Sequence, residues 1–245
     1  MTQVPVFTAE QVRIAEAPLL AAEQPLMARA AAALADVVRR MFQDGQGDSD
    51  APAGAPQPIA TAHARHLLVL AGSGNNGGDA LYAAAHLAEE VDVDVLTVGV
   101  RVHEAGLASA LGAGARRVEI PAVREAAGDY DLILDGILGI GATDLDLRGS
   151  AREAVEALLP AVRAGRSRVI AVDLPSGLHP DTGDSGSHVL PASVTVTFGA
   201  VKAGLVTGRG PELAGELVLA DIGLGPELDG FVPVGEASVS RVVTG

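Results

Sequence analysis

LLVLAGSGNNGGD, from Leu67 to Asp79, carries the strongest structural signal in this chain of 245 residues. An apolar run stops there at a cluster of glycines that holds two asparagines and an aspartate, and a helical pattern follows it. This order predicts a strand, a tight turn and a helix N-terminus, whose unpaired N–H groups attract phosphate. Gly72, Gly74 and Gly77 also match the spacing G-x-G-x-x-G of dinucleotide-binding turns, although an ordinary glycine-rich turn would look the same.

Strand and helix patterns alternate along the rest of the chain. A capping box of Thr8 and Gln11 predicts a first short helix, and an apolar stripe at helical spacing predicts a second one at 25–42. Further helices are predicted at 78–90, 103–115 and 150–164, and strands at 67–70, 93–100, 117–120, 132–138, 169–172, 194–198 and 216–222. Strands separated by helices predict an α/β fold, in which a parallel sheet has helices on both faces.

These elements are expected to form one domain over residues 1–245, since the hydrophobic fraction of 48% is ample for a core. Its parts are N-terminal helices at about 8–43, a loop at about 44–62, a core at about 65–224 and a tail at about 225–245. The loop is rich in Gly, Ala, Pro and Asp and shows no periodicity, so we assign no chemistry to it.

The composition excludes several classes of function. With a net charge of −14 and 2% aromatic residues, the chain lacks the cations and stacking side chains that nucleic-acid binding requires. The absence of cysteine excludes disulfides, thiol catalysis and zinc–thiolate sites. The first residues do not resemble a signal peptide and no apolar run could span a bilayer, so we expect no membrane interaction and a cytoplasmic location.

Three polar clusters follow predicted strands, and they read GSGNNGGD, DGILGIGATD and DLPSG. Ligands bind such sheets beyond the carboxyl ends of the strands, so we expect the clusters to meet in one crevice around a nucleotide. A dehydrogenase would carry an acid at the end of the second strand, but that end reads TVGVR, and Asp92 and Asp94 lie at the strand's beginning. A Walker phosphate loop is also excluded, because Asp79 stands where a Lys-Ser/Thr pair would be needed.

Four longer segments read GSGNNGGD, DLILDGILGIGATDLDLRG, VIAVDLPSGLHPDTG and TVTFGAVKAGLVTGRGPELAGELVLADIGL. In this order, within about residues 8–224, they resemble the YjeF N-terminal domain family, the NAD(P)HX epimerases. The resemblance implies a Rossmann-like three-layer αβα sandwich with a mostly parallel central sheet, and a bound potassium ion. It also implies epimerisation of the hydrated cofactors (6R)-NADHX and (6R)-NADPHX to their S epimers, which a partner ADP- or ATP-dependent NAD(P)HX dehydratase then repairs.

The family further suggests a homodimer. The helix at 25–42 has enough apolar surface for a dimer interface, and it could equally cover the sheet of its own chain.

The resemblance also implies roles for individual residues. The matching substrate-binding positions are Asn75, Asn76, Gly77, Gly78, Asp79, Gly139, Ile140, Gly141, Ala142, Thr143, Asp144, Leu145 and Asp173. The matching potassium ligands are Asn76, Asp135 and Ser176. Amide, carboxylate and hydroxyl oxygens are hard donors, which suit an alkali or alkaline-earth cation better than a transition metal.

Purely structural roles compete with these assignments. The two asparagines could merely tolerate left-handed turn conformations, and Asp135 or Ser176 could cap a strand end or a turn. Lys202 could be a solvated surface cation. The loop GIGATDLDLRG lacks the basic residue often seen there in the family, and Arg148 is its nearest candidate.

Epimerisation at C6 of the substrate requires an acid that protonates the hydroxyl, so that it leaves as water, and that then becomes a base. A partly buried carboxyl suits this role, because desolvation raises the pKa of a carboxyl group. Asp173 is the predicted catalytic residue because it ends a central strand, with Asp79 and Lys202 as the next candidates. The alternative function is a non-catalytic module that binds a nucleotide or ADP-ribose, but the intact polar clusters favour catalysis.

Overall fold

The computed structural model of the protein describes residues 1–44, 65–142 and 144–245. Thr143 and residues 45–62 of the predicted loop lie outside the described residues. The strands are β1 (Thr2–Phe7), β2 (His66–Ala71), β3 (Asp92–Thr97), β4 (Arg116–Arg117), β5 (Leu132–Gly136), β6 (Arg168–Val172), β7 (Val194–Phe198), β8 (Val201–Lys202), β9 (Glu216–Asp221), β10 (Gly235–Val239) and β11 (Arg241–Thr244). The helices are α1 (Ala9–Ala21), α2 (Leu26–Asp44), α3 (Asn75–Leu87), α4 (Glu104–Gly112), α5 (Ile120–Glu125), α6 (Gly149–Arg163), α7 (Gly210–Leu213) and α8 (Gly225–Leu228), with a 3-10 turn at Ala203–Leu205.

Eight strands form the central sheet in the order β11-β9-β7-β6-β5-β2-β3-β4, and each neighbouring pair is parallel. Alternate residues of β2 belong to different cores. Leu67 and Val69 pack with α2, α3 and α4 on one face, whereas Leu68 and Leu70 pack with α5 and α6 on the other. The expected α/β sandwich of Rossmann-like type, with three layers, is therefore confirmed.

The two N-terminal helices differ in how they are held. The predicted capping box of α1 is present, since Gln11 N–H donates to Thr8 Oγ1 at 3.2 Å and Thr8 N–H donates to Gln11 Oε1 at 2.9 Å. The apolar stripe of α2, including Leu34 and Val38, is fully buried against α3 and the sheet of the same chain. This stripe is therefore not free to form a dimer interface, and a homodimer would need another surface.

Helix α3 begins earlier than the sequence pattern predicts. It starts at Asn75, with Gly74 in extended conformation as its N-cap, so NNGG forms the first helical turn and not a loop. Neither asparagine has a positive φ, which removes the left-handed turn as an explanation for them. A side chain at Gly77 would collide with the backbone carbonyl of Gly72, so only glycine lets this first turn pack directly against the end of the strand.

Residues 225–245, which were expected to be a tail, hold α8, β10 and β11. Strand β11 extends the central sheet, and β10 pairs antiparallel with β1, whose other neighbour is β8, in a separate small sheet. The sequence pattern missed β10 and β11; β10 pairs with a strand at the opposite end of the chain, and β11 is only four residues long and only partly buried. Helix α6, predicted at 150–164, begins at Gly149, and the Ser150 hydroxyl does not cap it but donates to the carbonyl of Val98 at 3.3 Å.

Candidate active site

Three neighbouring strands, β2, β5 and β6, end level with one another at one edge of the central sheet. Ala71 of β2 pairs with Gly136 of β5, and Asp135 of β5 pairs with Ala171 of β6. The parallel register therefore brings the ends of three distant segments together, as expected from the positions of the polar clusters. Beyond this edge lies a cavity of about 780 Å³.

Most of the predicted substrate-binding residues line this cavity. Those on its wall are Asn75, Asn76, Asp79, Gly139, Ile140, Gly141, Ala142, Asp144 and Asp173. Gly77, Gly78 and Leu145 are not on the wall, and Thr143 lies outside the described residues. The helices α1 and α2 supply another part of the wall, through Glu16, Leu20, Leu26, Met27 and Ala30.

The three predicted potassium ligands form one hydrogen-bonded cluster below the cavity. The Ser176 hydroxyl and amide N–H donate to the carboxylate of Asp135, at 2.6 and 2.9 Å. The side-chain amide of Asn76 donates to the carbonyls of Val172, at 2.6 Å, and Leu138, at 3.1 Å, and the Leu138 N–H in turn donates to Ser176 Oγ at 2.9 Å. All three side chains are buried.

The oxygen atoms of this cluster are hard donors, which could hold an alkali or alkaline-earth cation. The Asp135 carboxylate is buried, and its hydrogen bonds come from Ser176 and the Ile137 N–H, with no cationic side chain bonded to it in the described part of the chain. Burial raises the pKa of Asp135, while the hydrogen bonds from Ser176 oppose that rise. A side chain at Gly139 would collide with the amide of Asn76, so glycine keeps the loop against this cluster. No group of three or more His, Asp or Glu residues that could hold a metal ion exists among the described residues.

Asp173 forms an ion pair with Lys202 that the sequence analysis did not predict. Its Oδ1 accepts hydrogen bonds from the ammonium group of Lys202, from the Phe198 N–H at 3.0 Å and from Thr197 Oγ1 at 3.3 Å. Lys202, at the end of β8, is 1% exposed and also donates to the Phe198 carbonyl at 2.8 Å. Lys202 is therefore not a surface cation. Its strand β8 belongs to the small sheet, which places the ammonium group beside Asp173 at the carboxyl ends of the central strands.

The backbone of Asp173 adopts an uncommon conformation, with φ of +69°. Such left-handed geometry is rare outside glycine, asparagine and aspartate, and it often occurs at functional positions. It follows directly after β6, where it turns the side chain toward Lys202 and the cavity.

Asp79 is the carboxyl group at this edge whose ionisation is most strongly perturbed. It is 5% exposed, lines the cavity and has no hydrogen-bond partner for its side chain in the described part of the chain. Burial raises the pKa of Asp79 well above 3.8; the charges of Asp173 and Glu16 raise it further, and Lys202 opposes them. Sequence reasoning named Asp79 as a substrate-binding residue and as a next candidate, after Asp173, for the acid–base role.

Sequence reasoning missed Glu16, because only the tertiary fold brings α1 to the cavity. Glu16 is half-buried on the cavity wall, and burial raises its pKa, with Lys202 opposing that effect. At the other side of the wall, Arg148 forms an ion pair with Asp144 at 2.6 Å and its side chain is largely exposed. The loop's basic residue is therefore paired with an acid of the same loop.

Comparison with known proteins relates this geometry to one family. A model described as YjeF-related protein N-terminus matches residues 23–204. The chain is 50% identical over 242 residues to "NAD(P)H-hydrate epimerase" of Microbacterium testaceum, covering 98% of this chain and 87% of that protein. It is 37% identical to the "Bifunctional NAD(P)H-hydrate repair enzyme Nnr" of Escherichia coli over 68% of this chain and 32% of that protein.

A solved structure confirms the fold independently. The crystal structure of yeast ynu0, YNL200c, superposes on this chain with a TM-score of 0.71, covering 96% of this chain and 97% of the yeast chain at 20% identity. Among the described residues, none of the helices combines the length and apolar character that a bilayer crossing demands.

Proposed function

The chain belongs to the family of YjeF-related protein N-termini, and from this premise we propose that its cavity epimerises hydrated nicotinamide cofactors. The substrates are (6R)-NADHX and (6R)-NADPHX, and the products are their S epimers. Three relatives named NAD(P)H-hydrate epimerase are 45% to 50% identical to this chain over at least 95% of its length, which supports the same activity.

One structural observation carries the proposal. The polar ends of β2, β5 and β6 border a single cavity, where a buried carboxylate–hydroxyl cluster lies beside the ion-paired Asp173. The cavity of about 780 Å³ is within the usual range of small-molecule sites. The N-terminus of α3 opens onto it through Gly74 and Asn75, which suits the phosphates of a dinucleotide.

The reaction inverts one carbon and needs no redox step. A proton is added to the hydroxyl on C6, the C6–O bond breaks with its electron pair on oxygen, and water leaves. The lone pair of the adjacent ring nitrogen stabilises the resulting cation. Water then adds to the opposite face of C6 and releases a proton, so the net change is inversion.

We assign Asp173 as a catalytic acid–base residue for this proton transfer. Lys202, Thr197 and the Phe198 N–H all donate to Oδ1, while Oδ2 has no hydrogen-bond partner in the described part of the chain. Oδ2 is therefore the oxygen available to the substrate. The hydrogen bonds fix the carboxyl group in one orientation, which proton transfer in the transition state requires.

Potassium is the cation that we propose for the cluster of Asn76, Asp135 and Ser176. When bound, it would add positive charge at the crevice and so offset repulsion between the substrate phosphates and an acidic protein. Asp135→Ala should weaken substrate binding and abolish the response of the rate to replacing potassium with tetramethylammonium. Asp129→Ala, on the exposed surface, is the matched control. An unchanged salt response in Asp135→Ala would contradict this ligand assignment.

The S epimer would pass to an ADP- or ATP-dependent dehydratase. The E. coli relative is named bifunctional, and this chain spans 32% of it, which supports a second repair activity as the pathway partner. A cytoplasmic location would place both enzymes with their cofactors.

Chiral separation of NADHX epimers tests the activity directly. The purified protein is incubated with (6R)-NADHX and potassium, and conversion is compared with the spontaneous background. Conversion well above background is expected. Background conversion with retained binding of the dinucleotide would instead identify the chain as a non-catalytic nucleotide- or ADP-ribose-binding module.

A further inference from the structure

Epimerisation places two proton-transfer demands on opposite faces of C6. A proton is consumed where the hydroxyl leaves, and another is released where water enters. A single carboxyl group that approaches from one side of the ring reaches only one of these positions within hydrogen-bond distance. If Asp173 serves one face, as proposed above, the cavity wall should offer a second titratable group for the other.

The cavity wall carries four further carboxyl groups: Glu16, Asp79, Asp144 and Asp146. Two of these are already engaged at the rim. Asp144 pairs with Arg148, and Asp146 accepts hydrogen bonds from the Ser187 N–H and hydroxyl, both at 3.1 Å. Asp79 and Glu16 remain, and neither has a hydrogen bond to its carboxyl group in the described part of the chain.

The two remaining groups differ in their access to solvent. Asp79 is 5% exposed, like Asp173 at 4%, so both carboxyl groups have little contact with solvent. Glu16 is half-buried on α1, so it touches both the cavity and solvent. Of the three carboxyl groups around Lys202 in the described part of the chain, Asp79, Asp173 and Glu16, Glu16 is the most exposed to solvent.

We propose that Asp79 is the second catalytic acid–base residue of the epimerisation, and that Glu16 carries its proton to and from solvent. This rests on the proposed epimerase function. In the forward reaction protonated Asp79 gives its proton to the departing C6 hydroxyl, and Asp173 accepts the proton of the entering water. Proton exchange through Glu16 and solvent then restores both carboxyl groups, so that atoms and charges balance over one turnover.

The surroundings are consistent with a protonated Asp79. Burial is the largest cause of its raised pKa, and the negative charges of Asp173 and Glu16 add to it. Lys202, from β8, faces the same group and lowers the pKa of Asp79, while Arg13, on α1, lowers that of Glu16. On the other side of α3, His103 at the N-cap of α4 packs against Gly78.

The test compares Asp79→Asn, Glu16→Gln and the control Glu10→Gln, which changes an exposed acid on the same helix as Glu16. Epimerisation rates are measured from pH 5 to 9, at low and high concentrations of a small buffer acid such as imidazole. We expect Asp79→Asn to lose roughly 10²–10⁴-fold in kcat. Glu16→Gln should show a smaller loss that added imidazole reverses, and Glu10→Gln should match the unmodified protein.

The outcomes separate this inference from the function on which it rests. If the unmodified protein does not exceed the spontaneous rate, the epimerase proposal itself fails. If it is active but Asp79→Asn stays within a few-fold of it, Asp79 is not a catalytic residue. If the Glu16→Gln loss is indifferent to imidazole, Glu16 acts only structurally. Calorimetric binding of NADPH to each variant shows that the cavity is intact, which excludes misfolding as the cause of a loss.

Discussion

A buried aspartate lies near the amino ends of the central strands and another lies near their carboxyl ends, and the surroundings of the two side chains are opposite in kind. Near the amino ends of the strands, Asp94 is 4% exposed and bonds His66 Nε2 at 3.0 Å, the Arg116 guanidinium at 2.9 Å and the Tyr130 hydroxyl at 3.2 Å. At the carboxyl edge, Asp79 is 5% exposed and has no such partner in the described part of the chain. The two aspartates are almost equally buried, so they differ in the hydrogen-bond and ion-pair partners of their carboxyl groups.

This contrast separates a structural carboxylate from a chemical one. The charge of Asp94 is met by donors on β2, β4 and the segment before β5, so its burial ties four parts of the chain together. The carboxyl group of Asp79 instead lies near two further acids, Asp173 and Glu16, and all three share one lysine, Lys202. A buried group without its own partner costs stability, and proteins retain such groups where they perform a reaction.

The largest effect should come from the carboxyl edge, in Asp173→Asn. We expect roughly a 10²–10⁴-fold loss of kcat, because the acid–base group is removed while its shape is kept. Asparagine also tolerates the left-handed backbone at this position, with φ of +69°, so the turn should be kept, but Lys202 loses its counter-charge and the free energy of unfolding should fall. Chiral separation of NADHX epimers measures the rate. Near-normal turnover would show that this edge does not depend on Asp173.

Lys202→Met should give the largest loss of stability. It leaves the carboxylate of Asp173 buried without its cation, which typically costs about 3–5 kcal/mol. Urea denaturation measures the free energy of unfolding. The double variant Lys202→Met/Asp173→Asn should recover much of the loss, because the uncompensated charge is gone. Equal stability of the single and double variants would contradict a buried ion pair.

Asp94→Ala probes the opposite edge. It removes a carboxylate that receives charged and neutral donors, so the free energy of unfolding should fall by about 2 kcal/mol. The epimerisation rate of the folded variant should stay unchanged, since Asp94 lies away from the cavity wall. A loss of activity without a loss of stability would contradict the purely structural role of Asp94.

The smallest effect should be a gain in stability in Asp79→Asn. Because the folded-state pKa of Asp79 is raised, the folded protein binds this proton more tightly than the unfolded chain, so Asp79 destabilises the fold increasingly as pH rises above 3.8. Asn cannot ionise and escapes this penalty. The variant should therefore melt at a higher temperature than the unmodified protein at pH 7, and the advantage should disappear near pH 3.5. A lower melting temperature at pH 7 would contradict the raised pKa.

The parts of the fold that could be predicted are those whose signal is local. Strands β2, β5, β6, β7 and β9 are runs of buried branched residues, and their predicted bounds differ from the structure by at most two residues at either end. The capping box of α1 and the polar clusters after three strands are also local patterns. The small sheet was not predicted, because β1 finds its partners more than 190 positions away.

The site divides in the same way. The positions of the polar clusters predicted that they would meet, the family resemblance implied the set Asn76, Asp135 and Ser176, and these three do lie in one hydrogen-bonded cluster. The perturbed pKa of Asp79 and the burial of Lys202 depend on which charges surround a group in three dimensions. No spacing along the chain contains that information.

The acidic wall of the crevice also affects how a ligand arrives. A dinucleotide carries negative phosphates toward a protein of net charge −14, and Arg148 is the one lysine or arginine on the cavity wall within the described residues. Long-range forces therefore oppose the encounter, and attraction begins only near the first turn of α3. Because dissolved salt shortens the reach of that repulsion, the association rate constant should increase with ionic strength, the reverse of electrostatically steered binding.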